Sequence, residues 1–377
     1  MPEGRRPLKA EKRRQILLIL AIFLLLAGLL FWQQLLLASP LFFGYRGPDM
    51  FGIYTADLDG KNFHPLLLDA RREMTHARIS PDGKKITFTR YNPSKRGILP
   101  SDYAEENGSN YLNTEIVVAD LSGSAHNRTL ACSNQKDVEP WGEEIMNANS
   151  SWIDNDTIIY IHRGNLTSLP QLKLYHLADH RSEVVNTPSG LAAADPHCIN
   201  GQLIFPVVPL SQDKNAACRL YTMKLDGTQV RQLPQGQIVS TSDLRAFKLG
   251  DYDPWLAADG KTAVFMHHFG GEDWRVFKID LVKGEEKQLT ATGITSGIPK
   301  WSPDGKEIIY VSWDKSKLEN LGLNTMPATG GAYKKVPLPS GYLFTHPSYL
   351  PPGTSGAADA NPNMIIFSAR KVPGLPQ

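Results

Sequence analysis

Six residues share one position of an internal repeat: His76, Asn149, Asp195, Asp253, Ile298 and His346. The last four stand immediately before a proline (Pro196, Pro254, Pro299 and Pro347), and His197 is adjacent to the third. Five of the six carry nitrogen or oxygen that can coordinate or hydrogen-bond. Two imidazoles (His76, His346) and two carboxylates (Asp195, Asp253) converging on one axis could bind a divalent metal or a cationic ligand. The plainer alternative is a set of polar residues that satisfy each other and ordered water. No complete catalytic set accompanies them, so no catalytic residue is assigned, and that metal is the only cofactor to weigh.

Other chemistry-bearing residues read as structural. His267 and His268 alternate across a strand, so they cannot face one ligand, and one packs inside while the other meets solvent. Trp141, in the acidic stretch Glu139–Glu144, is a candidate exposed recognition aromatic or else a loop plug. Trp152 and Trp301 fall at equivalent repeat positions and suit core packing. Asn107, Asn127, Asn149, Asn155 and Asn165 begin Asn-x-Ser/Thr triplets, which acquire glycans only in a eukaryotic secretory route. Cys132, Cys198 and Cys218 are too few for a disulfide scaffold and lack zinc spacing; a single Cys198–Cys218 bridge is the candidate pair.

The repeat that aligns the six positions has two phrases. Ser80-Pro-Asp-Gly-Lys-Lys-Ile-Thr-Phe88 returns as Ser302-Pro-Asp-Gly-Lys-Glu-Ile-Ile-Tyr310, with weaker copies at 257–261 and 152–156. Tyr54-Thr-Ala-Asp-Leu-Asp-Gly60 returns as Tyr221-Thr-Met-Lys-Leu-Asp-Gly227. Asp-Gly between alternating apolar residues signals a hairpin, because glycine accepts positive φ without a Cβ clash. Each repeat therefore predicts four short strands: a, an Asp-Gly turn, b, a loop, c, a second turn, d. One such sheet cannot bury both faces alone, whereas sheets stacked radially can.

Counting predicts an all-β, six-bladed propeller over residues 50–371. Five blades run in order, at about 76–132, 148–186, 195–233, 252–290 and 298–336. The sixth is shared: 346–350 and 364–369 supply its a and b, while 51–58 and 63–67 supply c and d. The two ends then close the ring without an unpaired edge.

Both phrases resemble the repeats of TolB-like six-bladed propellers, over nearly the whole of residues 50–371. The resemblance implies the fold and little about activity, since that fold hosts many roles. The α/β domain that precedes the propeller in periplasmic TolB proteins has no counterpart here, so its partners do not transfer. Prolyl-oligopeptidase relatives add an α/β-hydrolase domain; no GxSxG elbow is present, which argues against serine hydrolysis. Oligogalacturonate lyases, also similar, set histidines around a channel metal, but their ligand set does not map residue by residue onto this chain.

Alternating strands put the a–b and c–d turns on one face and the b–c and d–a connections on the other. Of the long insertions, 93–113, 133–147 and 234–250 belong to the second face and only 351–362 to the first, and recognition loops collect on rigid scaffolds at the loop-rich face. Strand a starts there, which sets the six residues around the channel mouth.

Before the propeller, Ile16–Trp32 is an uncharged apolar run of 17 residues, close to the ~20 needed for a transmembrane helix. Six basic residues precede it, so the positive-inside rule leaves the N-terminus in the cytoplasm. The chain reads as a basic cytoplasmic tail (1–15), a signal anchor in the lipid bilayer (16–37) and a linker (38–49). The propeller (50–371) and a short tail (372–377) follow. Cleavage after Ala38 is the competing reading. Either way the body is exported to the periplasmic or extracellular side of the cytoplasmic membrane.

Lys+Arg total 40 and Asp+Glu 38, for a net charge of +2. Residues 1–15 carry +4 of it, leaving −2 for the remainder. Such a body has no electrostatic footprint for nucleic acid. The favoured function is binding or scaffolding of a protein, peptide or glycan at the loop-rich face. The rival is a polysaccharide lyase or hydrolase at the channel mouth, metal-dependent in one version.

Overall fold

A computed structural model describes residues 50–69, 72–91, 114–121, 130–131, 146–163, 169–188, 192–208, 217–233, 249–271, 273–314, 317–351 and 363–372. The segment 16–37 lies outside them. Among the described residues no helix is long and apolar enough to cross a membrane.

The described residues form an all-β, six-bladed propeller. The first two strands, β1 (Gly52–Asp57) and β2 (His64–Leu67), belong to the sixth blade. Blade one is β3 (Met74–Ile79), β4 (Lys85–Tyr91), β5 (Thr114–Asp120) and β6 (Leu130–Ala131). Blade two is β7 (Met146–Trp152), β8 (Thr157–Arg163), β9 (Gln171–His176) and β10 (Arg181–Val184). Blade three has a divided inner strand, β11 (Ala192–Ala193) and β12 (His197–Ile199), then β13 (Gln202–Val208), β14 (Arg219–Lys224) and β15 (Arg231–Gln232). Blade four is β16 (Gly250–Leu256), β17 (Thr262–Gly270), β18 (Asp273–Asp280) and β19 (Glu285–Gln288). Blade five is β20 (Thr295–Trp301), β21 (Glu307–Asp314), β22 (Lys317–Pro327) and β23 (Lys334–Lys335). The chain ends with β24 (Tyr342–Tyr349) and β25 (Met364–Lys371).

Those last two strands complete blade six in the order β2-β1-β25-β24. Residues Gly52–Asp57 pair antiparallel with Ala369–Met364 along their whole length. Alternation along β1 and β25 sends neighbouring side chains to opposite blades. Tyr54, Ile365 and Phe367 pack against Ile309, Val311 and Leu323 of blade five. Ile53 and Ile366 pack against Met74, Ile86 and Phe88 of blade one. Both seams of the closing blade are thus dry, so loss of either end would expose two cores at once.

The turn chemistry explains why the Ser-Pro-Asp-Gly phrase recurs. Ser80 Oγ donates to Asp82 Oδ1 at 2.6 Å and accepts from Lys85 N at 2.9 Å, while Gly83 takes φ 70°. The second copy repeats this arrangement: Ser302 Oγ to Asp304 Oδ1 at 2.7 Å, Glu307 N to Ser302 Oγ at 2.9 Å, Gly305 at φ 69°. Asn155 accepts from Asp82 N at 2.9 Å, tying the turns of blades one and two on their common face. Turn chemistry therefore accounts for Asn155.

Two expectations change. Cys198 and Cys218 are both free and buried; they sit in different packing clusters, and Cys218 Sγ donates to Tyr252 Oη at 2.8 Å instead. His267 and His268 do face opposite sides of β17, but neither meets solvent, each being 3% exposed. His267 Nδ1 contacts Asp251 Oδ1 at 2.6 Å, and His268 stacks on Trp274 with centroids 4.0 Å apart.

A ring of left-handed residues around the channel

Each innermost strand carries one irregularity at the same place. The ladder between strands a and b slips at Thr75/Arg78, Ala148/Ser151, Tyr252/Trp255, Gly297/Lys300 and Thr345/Ser348. In blade three the inner strand breaks there outright, between β11 and β12. At the centre of every slip is a residue in the left-handed region: His76 (φ 57°), Asn149 (53°), Asp195 (34°), Asp253 (46°), Ile298 (55°) and His346 (50°). These are the six residues that the repeat aligned. A bulge leaves one residue unpaired and re-aims it. Asn, Asp and His tolerate positive φ better than most side chains, which gives the alignment a backbone cause. Ile298, β-branched, is the strained exception.

The bulges bring four of the ring residues to one cavity. His76, Asn149, Asp195 and Asp253 line a polar cavity of about 20 Å³, room for about one water, together with Arg78, Trp255 and Lys300. Asn149 Nδ2 donates to Asp195 Oδ1 across the boundary of blades two and three. His346 of blade six lies on His76 of blade one, with ring centroids 3.6 Å apart. Each of those imidazoles accepts or donates through Nδ1 to the preceding threonine: Thr75 Oγ1 at 2.7 Å and Thr345 Oγ1 at 3.0 Å. His76 and Asn149 are buried, whereas Asp195, Asp253, Ile298 and His346 are half-buried. Trp141 lies outside the described residues.

A second layer lies two residues further along each inner strand: Arg78, Ser151, His197, Trp255, Lys300 and Ser348. Its centre is the Trp255 indole. His197 stacks on it with centroids 3.6 Å apart, Lys300 Nζ stands 4.4 Å from its centroid and the Arg78 guanidinium carbon 4.9 Å. His197 Nδ1 accepts from Leu256 N at 2.9 Å, so its place is fixed by blade four. The backbone of this layer is pinned as well. Trp152 Nε1 donates to Arg78 O at 3.0 Å, and Trp301 Nε1 to Trp255 O at 3.1 Å. The same inter-blade bond thus occurs twice, as equivalent tryptophans predict.

Sequence reasoning missed Arg78, Trp255 and Lys300. The signal was present, because the alignment that found the ring finds this layer when read two positions on.

Burial sets the protonation of the cluster. It drives the imidazoles of His76, His197 and His346 well below their usual range, with His346 adding to the effect at His76 and the Arg78 and Lys300 charges adding at all three. Lys300 is pushed down to about 7, by burial first and Arg78 second, with Asp253 and Asp195 opposing. Arg78 is lowered to about 10 by burial, again against Asp253 and Asp195. Asp195 is raised above the usual carboxylate range by burial and then by Asp253, against the hydrogen bond from Asn149. Two polar atoms, Arg78 Nε and Asn149 Oδ1, are buried with no hydrogen-bond partner among the described residues.

This donor set does not fit a divalent metal. The four candidate ligands, His76, His346, Asp195 and Asp253, share the axis with Arg78 and Lys300, whose cations oppose another positive charge. His76 and His346 lie against each other, tilted by 41° with centroids 3.6 Å apart. Among the described residues no group of three or more His, Cys, Asp or Glu is placed to hold a metal ion.

Comparison with known proteins gives the fold. No protein-family profile matches the chain, and no curated protein matches it. Among solved structures, a protein assigned as TolB from Agrobacterium tumefaciens superposes with a TM-score of 0.57 at 12% identity, covering 87% of this chain and 100% of that one. TolB from Acinetobacter baumannii gives 0.45 at 15% identity, covering 79% and 78%. An oligogalacturonate lyase in complex with manganese gives 0.49 at 14% identity, covering 87% and 97%. The Agrobacterium match establishes a TolB-like propeller fold; identities this low speak to nothing beyond the fold.

Proposed function

We propose that this chain is a membrane-anchored propeller that binds a protein, peptide or glycan partner at its loop-rich face, with a polar group of the partner entering the channel. The observation that carries the reading is the pair of buried, unpartnered atoms in one cavity. Arg78 Nε needs an acceptor and Asn149 Oδ1 needs a donor. A buried polar atom left alone costs about 1–3 kcal/mol, so a partner's hydroxyl or other group of water's size that can do both gains by entering. Asp195 and Asp253, which line the same cavity, are only half-buried.

The apolar run 16–37, flanked by basic residues on its N-terminal side only, supports an anchor in the cytoplasmic membrane with the propeller on the outer side. One observation favours the rival reading of a lyase or hydrolase acting on a polysaccharide. Asp195, raised by burial and Asp253, has the character of a general acid. It lacks a second acid/base group in a defined geometry, and binding is the better-supported conclusion.

Cross-linking in membranes followed by purification of the anchored chain tests the reading. A specific partner is expected with the native chain and not with an Asp195→Asn, Asp253→Asn variant that keeps the fold. No partner, together with turnover of a sugar polymer, would replace binding by catalysis.

A further inference from the structure

The seam between blades four and five is open at its rim. A groove of about 520 Å³ lies there, within the ~300–1,000 Å³ of ligand pockets. Leu289 of blade four and Tyr310 and Met326 of blade five form its floor, and all three also belong to the core packed between those blades. The rim stays open because the outer strand of blade four ends at Gln288, while that of blade five has only two residues. Small residues, Ala291, Gly331 and Ala332, line the gap instead. Ile294, 41% exposed, and Tyr333, 54% exposed, flank it. Among the described residues, none of the side chains lining it is charged.

A separate observation indicates what fits there. β22 runs over 11 residues, but β23 pairs only with its Asn324 and Thr325, and Val336 N adds one bond to Leu323 O. Among the described residues no strand covers the outer edge of 317–322. An uncovered edge is a template for another extended chain. Gly322 pairs with Ser312, which lines the groove, and Met326 on the same side of β22 lines it too. A strand laid along this edge therefore turns alternate side chains toward the groove.

We propose that the groove and the open edge of β22 bind an extended segment of a partner protein by strand addition. Its alternate side chains, apolar and uncharged, seat between blades four and five. Main-chain bonds to β22 set the register, and the uncharged lining disfavours acidic and basic side chains, which would lose water without gaining a counter-charge. A peptide here is a narrower form of the binding function proposed above and rests on it, although the groove shares no lining residue with the channel cavity.

A phage-displayed library of random linear nonapeptides, panned on the full-length chain in detergent, supplies the probes. Enriched sequences should carry uncharged apolar residues at alternate positions. The corresponding synthetic peptides should lose affinity by at least about tenfold on Ala291→Arg or Ile294→Arg, both at exposed positions outside the packed core. N-methylation of alternate peptide amides should abolish binding in one set and spare it in the other. The Asp195→Asn, Asp253→Asn chain, altered only at the channel, should bind these peptides unchanged, so a failure of the channel reading leaves this result standing. Enriched peptides without alternation, binding indifferent to both arginines or to both methylated sets, or binding of neutral maltohexaose that Ile294→Arg removes would each overturn the proposal.

Discussion

His76 and His346 lie ring against ring, with centroids 3.6 Å apart, across the junction between blade one and blade six. One comes from the first repeat of the chain and the other from its last blade. The contact exists only because the two ends of the propeller complete one sheet. Closure and the polar channel are therefore coupled: the strand pairing that seals the ring also brings the first and last ring residues together.

Closure predicts where stability concentrates. Phe367 on β25 is fully buried and lies within aromatic contact of Tyr54, Phe63 and Phe344. Phe367→Ala should cost about 3–5 kcal/mol, read as a lowered midpoint in chemical denaturation. A cost below about 1 kcal/mol would mean that the seam does not bear on folding.

The left-handed ring predicts a ranking of substitutions. Asn149 holds φ 53°, which glycine adopts freely and valine does not. Both replacements lose the bond to Asp195, so their difference isolates the backbone. Asn149→Val should be less stable than Asn149→Gly by about 1–2 kcal/mol. Equal stabilities in the same denaturation assay would contradict the bulge geometry.

The buried imidazoles predict acid sensitivity with a definite sign. Their folded pKa values lie below the unfolded value, so the unfolded chain binds more protons once the pH drops below about 6.5. Stability is full above that pH and is lost as the pH falls toward the folded values. Asp195, raised in the fold, acts in the opposite sense and gives back some stability as it protonates. The variant His76→Asn, His346→Asn keeps residues that tolerate positive φ and should flatten the slope between pH 6.5 and 5. An unchanged slope would show that these rings do not stay neutral when folded.

Two cations among the candidate ligands predict indifference to divalent metals. Elemental analysis of the purified chain should find no stoichiometric metal, and a chelator should leave the thermal midpoint unmoved. A bound metal lost on His76→Ala, His346→Ala would reverse the fit argument.

The blades were legible because their turns are chemical. Ser-Pro-Asp-Gly needs its serine and aspartate for three hydrogen bonds and its glycine for positive φ, so the phrase persists while strand residues vary. The ring was legible for a related reason: residues that tolerate positive φ stand at every bulge but that of Ile298, three of them before proline. Its depth was not. Alignment sets a residue along the strand, but whether it is buried depends on how far side chains from other blades reach across the axis. Arg78 and Lys300 do reach across, onto Trp255 of blade four, and no local pattern records that. The Cys198–Cys218 expectation failed similarly: both thiols are buried, but in different inter-blade clusters.

Site-resolved photo-cross-linking tests the account most directly. A photoreactive residue at Ile294, exposed on the connection from blade four to blade five, reports on the loop-rich face; one at Lys306, in an Asp-Gly turn, reports on the other. The account predicts a discrete adduct from Ile294 and none from Lys306, with the Ile294 adduct lost on Asp195→Asn, Asp253→Asn. Adducts from Lys306 alone, or an Ile294 adduct indifferent to both aspartates, would contradict it.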